Sequence, residues 1–181
     1  VQGVATSRSR HRFGLLLRFG VAAYLVANAW LFAGRVVPHA HAFAEGVRTC
    51  YVGTGEWLRD NTDPDAVVAA LDIGAVGWAS ERQVLDLMGL VSPEIRELGL
   101  GMGFADMVES GVWLGPPGPR RPSWFVDRCE GAPRWAGRTV GGVRFELVST
   151  CTIRGVGLRE PQPWTIALYS LVSAATPPKS D

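Results

Sequence analysis

From Phe13 to Gly34 the chain is apolar at nearly every position, with Arg18 and Asn28 its only strongly polar interruptions. Between Arg12 and Arg35 lie 22 residues; as a helix they would span roughly 33 Å, enough to cross a hydrocarbon core of about 30 Å. After this block the pattern changes period. Apolar residues at Phe43, Val47, Cys50, Tyr51 and Leu58 follow helical spacing and predict one helix that packs on a sheet. Asp60–Asp65 (DNTDPD) ends it, because Pro64 cannot continue a helix and forces the residue before it to be extended. Ala66–Leu71 is then a short apolar, β-branched run, the pattern of a strand buried on both faces.

Ile73–Ser80 is long enough for two helical turns, and Gln83–Leu87 reads as a second strand ending at Gly89. Ser92 and Pro93 supply a cap and a first-turn proline for a further helix. A helix over Phe104–Ser110 follows, and four prolines make Gly115–Pro122 a surface loop. Ser123–Asp127 predicts a third strand of the same sheet, Val143–Val148 a half-exposed strand and Trp164–Val172 its antiparallel partner. The fold expected is α/β: an N-terminal transmembrane helix, then a small three-layer domain with a mostly parallel sheet and a C-terminal antiparallel hairpin. The boundaries expected are a basic segment at 1–12, the span at 13–35, the α/β domain at 39–172 and a disordered tail at 173–181. The missing initiating methionine points to a fragment or a processed product.

Charge adds direction to this picture. Five arginines and no acidic residue fall before residue 40, four of them at or near the N-terminal end of the apolar block. The positive-inside rule then places Val1 in the cytoplasm and everything beyond Arg35 outside. A secretory signal with a small-residue cleavage site near Ala40-His41-Ala42 fits the same order of basic and apolar segments, but the apolar run is long for one. The remainder of the chain is mildly acidic and lacks basic clusters, which argues against nucleic acid as a partner.

The candidate chemistry is sparse. No histidine follows His41, which excludes Ser-His and Cys-His catalysis from the globular part. His39 and His41 lack a third ligand, and Asp60–Asp65 lacks the spacing of a calcium loop, so neither metal nor cofactor is expected. Cys50, Cys129 and Cys151 have no CxxC spacing; a Cys129–Cys151 bond would close a short loop, and Cys50 could pair instead. The best candidates for a binding edge are Asp72 with Gly74, and Asp86 with Gly89. Each aspartate stands at the end of an apolar strand and is followed by glycine, and open α/β sheets place their sites at such strand ends. Local bonding would also explain both: Asp72 to the helix that follows, Asp86 to the Gly89 turn or to Arg82.

Gly55–Glu94, with Trp57–Thr62, Pro64–Ala66, Asp72–Trp78 and Val84–Val91 as its core, resembles the C-terminal region of bacterial polytopic membrane glycosyltransferases of the GT-C type. These enzymes use polyprenyl-phosphate-linked sugars. The resemblance covers under a quarter of the chain and does not include the membrane half that carries the family's transfer chemistry. It implies an extracytoplasmic tail domain that positions a polyprenyl-linked sugar or an acceptor glycan. Its partners would be the lipid bilayer and the remaining transmembrane helices of the same protein. In that family the third strand tends to follow an aspartate, where this chain has Ser123. A secreted or anchored non-catalytic binding module is the alternative.

Overall fold

The computed structural model describes residues 3–99, 101–115, 121–156 and 162–174. The chain divides into two compact units, Val1–Ala42 and Phe43–Asp181. The first is helical: α1 (Gly3–Leu31) leads through a wider π turn at Phe32–Val36 into α2 (Val37–Gly46). The basic N-terminal stretch is thus helical from Gly3. A helical run that starts at Phe13 is long and apolar enough to cross a membrane, and its side chains, among them Leu16, Phe19 and Trp30, are exposed.

The second unit is built on one mixed sheet. Its elements are α3 (Gly53–Asn61), β1 (Val67–Ala70), α4 (Ile73–Ser80), β2 (Gln83–Asp86), α5 (Pro93–Leu98), α6 (Phe104–Ser110), β3 (Trp124–Glu130), β4 (Thr139–Val140), β5 (Val143–Val156) and β6 (Gln162–Ser173). The strand order is β2-β1-β3-β6-β5-β4. β1 pairs in parallel with β2 and β3, and the pairs β3–β6, β5–β6 and β4–β5 are antiparallel. The expected hairpin is present as β5–β6, but together with β4 it makes up half of the six strands, so the sheet is mixed and not mostly parallel. The reason lies in the connections. Helices join β1 to β2 and β2 to β3, as parallel neighbours require, whereas among the described residues no helix lies between β3 and β4 or between β4 and β5.

Both faces of the sheet are covered. Ala69, Phe125, Phe145 and Tyr169 meet α5, α6, Trp113 and Trp135 on one face; Val68, Val126, Ile166 and Leu168 meet Cys50, Leu58 and Val76 on the other. β1 is buried at all four positions, as its unbroken apolar run requires. β5 runs on past Val148 to Val156, and a bulge between Leu147 and Ser149 adds one residue and reverses the facing of the strand from there to Ile153, where a second register shift follows. Phe145 therefore enters one core and Ile153 the other, although both are odd-numbered.

The helix expected from Phe43 is interrupted by a second π turn at Val47–Val52, which buries the adjacent Cys50 and Tyr51 together. Cys50 is bonded to Cys151 across 101 residues of sequence, and Cys129 is the free, buried thiol. The Cys129–Cys151 pairing is thereby corrected: Cys151 and Cys50 belong to one core, whereas Cys129 donates toward the carbonyls of Ala132 and Thr165. α3 lies so close to α4 that a Cβ on Gly55 would fall 2.6 Å from that of Ala79. Most of the tail expected from residue 173 lies outside the described residues.

Candidate functional site

β1 sits between its two parallel partners. The chain leaves it through α4 on one face of the sheet to reach β2, then returns through α5 and α6 on the other face to β3. The carboxyl ends of β1 and β3 thus flank a point where the winding reverses, and in open α/β sheets such a point leaves a crevice. Two adjoining grooves open there. One, of 410 Å³, is lined by Phe43, Tyr51, Asp72, Gly74, Leu90, Arg128 and Trp164 among others. The second, of 490 Å³, shares Leu71, Arg128 and Trp164 and adds Met88, Phe104 and Arg134.

Asp72 leaves β1 in a conformation that does not cap α4, and its carboxylate makes no bond to that helix. It accepts instead from the Tyr51 hydroxyl and from Arg128, whose Nη1 lies 2.9 Å from Oδ2 and 3.1 Å from Oδ1. The Arg128 guanidinium also lies 4.0 Å from the centre of the Trp164 ring. Tyr51 comes from the π turn, Asp72 from the end of β1, Arg128 from β3 and Trp164 from the start of β6. Both members of the ion pair are about one-third exposed, so the cluster is reachable from solvent. A carboxylate, a guanidinium, a phenol and an indole along one groove present donors, acceptors and a flat apolar face to a polar ligand.

Asp86 has a different setting. Its side chain is fully buried and accepts the N–H groups of Met88 and Val91, each at 2.9 Å, while its own N–H donates to Ser92 Oγ at 3.0 Å. Gly89 turns with φ +71°, and an added Cβ would come within 2.9 Å of the Arg96 backbone. Asp86 and Gly89 thus build the β2–α5 loop and are not among the residues lining either groove. Ser92, expected to cap α5, makes no capping bond because its hydroxyl is used by Asp86. Arg82 does not reach Asp86 either; it donates to the Arg59 and Thr62 carbonyls at the end of α3.

A third acidic side chain, Asp127 on β3, is buried behind the second groove and held by Arg134 at 3.3 and 3.4 Å. Burial pushes its carboxyl above the usual range, and Arg134 opposes that shift. Burial likewise raises the Cys129 thiol and the Tyr169 phenol. Among the described residues no group of three or more His, Cys, Asp or Glu is placed to hold a metal ion.

Sequence reasoning missed Tyr51, Arg128 and Trp164, which come together from distant parts of the chain. Arg128 carried a local signal. The strand runs from Trp124 to Glu130, past the Asp127 end expected for it, and a strand read that far, in parallel register with β1, would have put Arg128 level with Asp72. The model of a family described as a domain of unknown function, DUF8728, matches residues 41–171. No curated protein and no solved structure matches the chain.

Proposed function

The chain belongs to the DUF8728 family, a domain of unknown function; from the resemblance carried by Gly55–Glu94 we propose that its globular unit is the extracytoplasmic C-terminal domain of a GT-C-type membrane glycosyltransferase. In this reading the domain positions a polyprenyl-phosphate-linked sugar or an acceptor glycan for a catalytic membrane half that this chain does not contain. The observation that carries it is the groove cluster Tyr51, Asp72, Arg128 and Trp164. The Asp72–Arg128 pair balances its own charge, so the groove suits a neutral polyhydroxylated ligand better than a free anion. Sugar hydroxyls would exchange bonds with the pair, and a sugar face would lie on exposed indole surface. Gly74 keeps the wall beside Asp72 free of side chain; its Cβ position has no neighbour within 4 Å.

The extracytoplasmic orientation draws on two independent features. Arginines cluster before the apolar segment, and Cys50 and Cys151 form a bond that persists in oxidising compartments. The test is sugar transfer by the full-length transferase carrying Trp164→Ala. Loss of the indole should raise KM for the glycan-bearing substrate several-fold while kcat changes little. An unchanged KM would remove the groove from the reading.

A further inference from the structure

The β2–α5 loop combines a rigid interior with an apolar exterior. Both Asp86 carboxylate oxygens are spent on the Met88 and Val91 N–H groups, the Asp86 carbonyl accepts from Gly89 at 3.0 Å, and Ser92 holds the Asp86 N–H. A loop fixed by so many bonds has a defined outer surface. That surface is Met88, Leu90 and Val91, which are 53, 82 and 64% exposed, and no charged residue lies between Asp86 and Glu94. Surface loops ordinarily present polar side chains, and exposed apolar residues held together mark a surface that something covers. The apolar rim extends beyond the loop: Leu90 and Phe43 line the 410 Å³ groove, and Met88 and Met102 line a neighbouring cavity of 210 Å³.

We infer that this loop is a second membrane contact, with Met88, Leu90 and Val91 inserted into the boundary between headgroups and acyl chains. The inference rests on the reading of Phe13–Gly34 as a membrane anchor. A bilayer is the occupant the chain itself brings near, because only a short stretch separates Arg35, at the end of that segment, from Phe43 on the groove rim. The chemistry agrees: an uncharged apolar tip, with exposed Glu94 and Arg96 one turn further on, divides its residues between acyl and headgroup zones as interfacial segments do. Inserted in this way, the loop would hold the Asp72 groove at the membrane surface, where a lipid-linked sugar resides.

Site-directed quenching tests this on the full chain with its disulfide intact, reconstituted in phosphatidylcholine vesicles with and without doxyl-labelled lipid. An environment-sensitive fluorophore is placed on Leu90→Cys, with Val91→Cys as a second site, Glu81→Cys as an exposed control and Leu25→Cys as a reporter of the anchor. The parent chain corrects for any labelling of Cys129. Quenching by the doxyl lipid several-fold stronger at positions 90 and 91 than at 81 is expected. Quenching at 25 with none above the position 81 level at 90 and 91 would overturn the contact while leaving the anchor intact. Shielding of position 90 from aqueous iodide without lipid quenching would mean that protein covers the loop, which also overturns it. Absence of quenching at both 25 and 90 would remove the anchor and the inference together.

Discussion

Asp72 and Asp86 end neighbouring parallel strands, stand in similar sequence settings and yet have opposite fates. Asp86 is sealed inside, and every bond it makes holds the loop that follows it. Asp72 is one-third exposed, takes no part in capping α4, and is matched by a hydroxyl and a guanidinium from other elements. The difference arises from what lies above each strand end. Over β2 the chain turns back on itself at once, so its own N–H groups surround the carboxylate. Over β1 the chain departs into α4, and the winding reversal leaves a crevice that only distant residues can fill. A buried carboxylate that satisfies its own loop is architecture; a partly exposed one bonded across a groove is available to a ligand.

The largest expected effect tests the scaffold that brings Tyr51 to Asp72. Replacing Cys50 and Cys151 by serine removes a crosslink spanning 101 residues, which in chain-entropy terms is worth up to about 4–5 kcal/mol. Urea unfolding in detergent should show most of that loss, and a loss under about 1 kcal/mol would mean that the crosslink contributes little. Asp86→Ala should come next. It strands two loop N–H groups, at about 1–3 kcal/mol each, whereas Asp72→Ala, on a solvent-screened pair, should cost about 1 kcal/mol or less. Equal losses at the two positions would break the comparison.

Gly89→Ala sharpens the same point at about 1–3 kcal/mol, since the residue needs positive φ and abuts Arg96; no loss would mean that the loop is not held as described. A smaller effect concerns the core beneath α5 and α6. The Tyr169 hydroxyl is buried with no hydrogen-bond partner among the described residues, and burial raises its pKa above the ordinary 10.0. Above pH 10 the unfolded chain therefore loses a proton that the folded chain keeps, so stability falls as pH rises through that range. Tyr169→Phe should leave stability at pH 7 nearly unchanged and flatten the alkaline decline. An equally steep decline in the variant would assign it to other groups.

Much of this architecture was legible in the chain. The apolar block at Phe13–Gly34, the doubly buried β1, the short helices at 73–80 and 104–110 and the C-terminal hairpin all follow from period and punctuation. What was not legible depends on events that leave little local trace. The bulge at Leu147/Ser149 swaps the facing of half a strand, and the π turn brings Cys50 and Tyr51 inward together. The disulfide then follows from a core shared by residues 101 positions apart. The candidate site was half visible. Asp72 could be read from its strand end, but Tyr51, Arg128 and Trp164 reach it from the π turn, β3 and β6, and no spacing rule links those elements.

The measurement that bears most directly on the proposed role is sugar transfer by the full-length protein carrying Asp72→Asn, with the melting temperature of the same variant recorded alongside. The amide keeps the shape of the carboxylate but removes its charge and the pairing with Arg128. A glycan-positioning groove predicts melting close to that of the parent together with clearly impaired transfer. Transfer at the parental rate by a normally folded Asp72→Asn protein would contradict it.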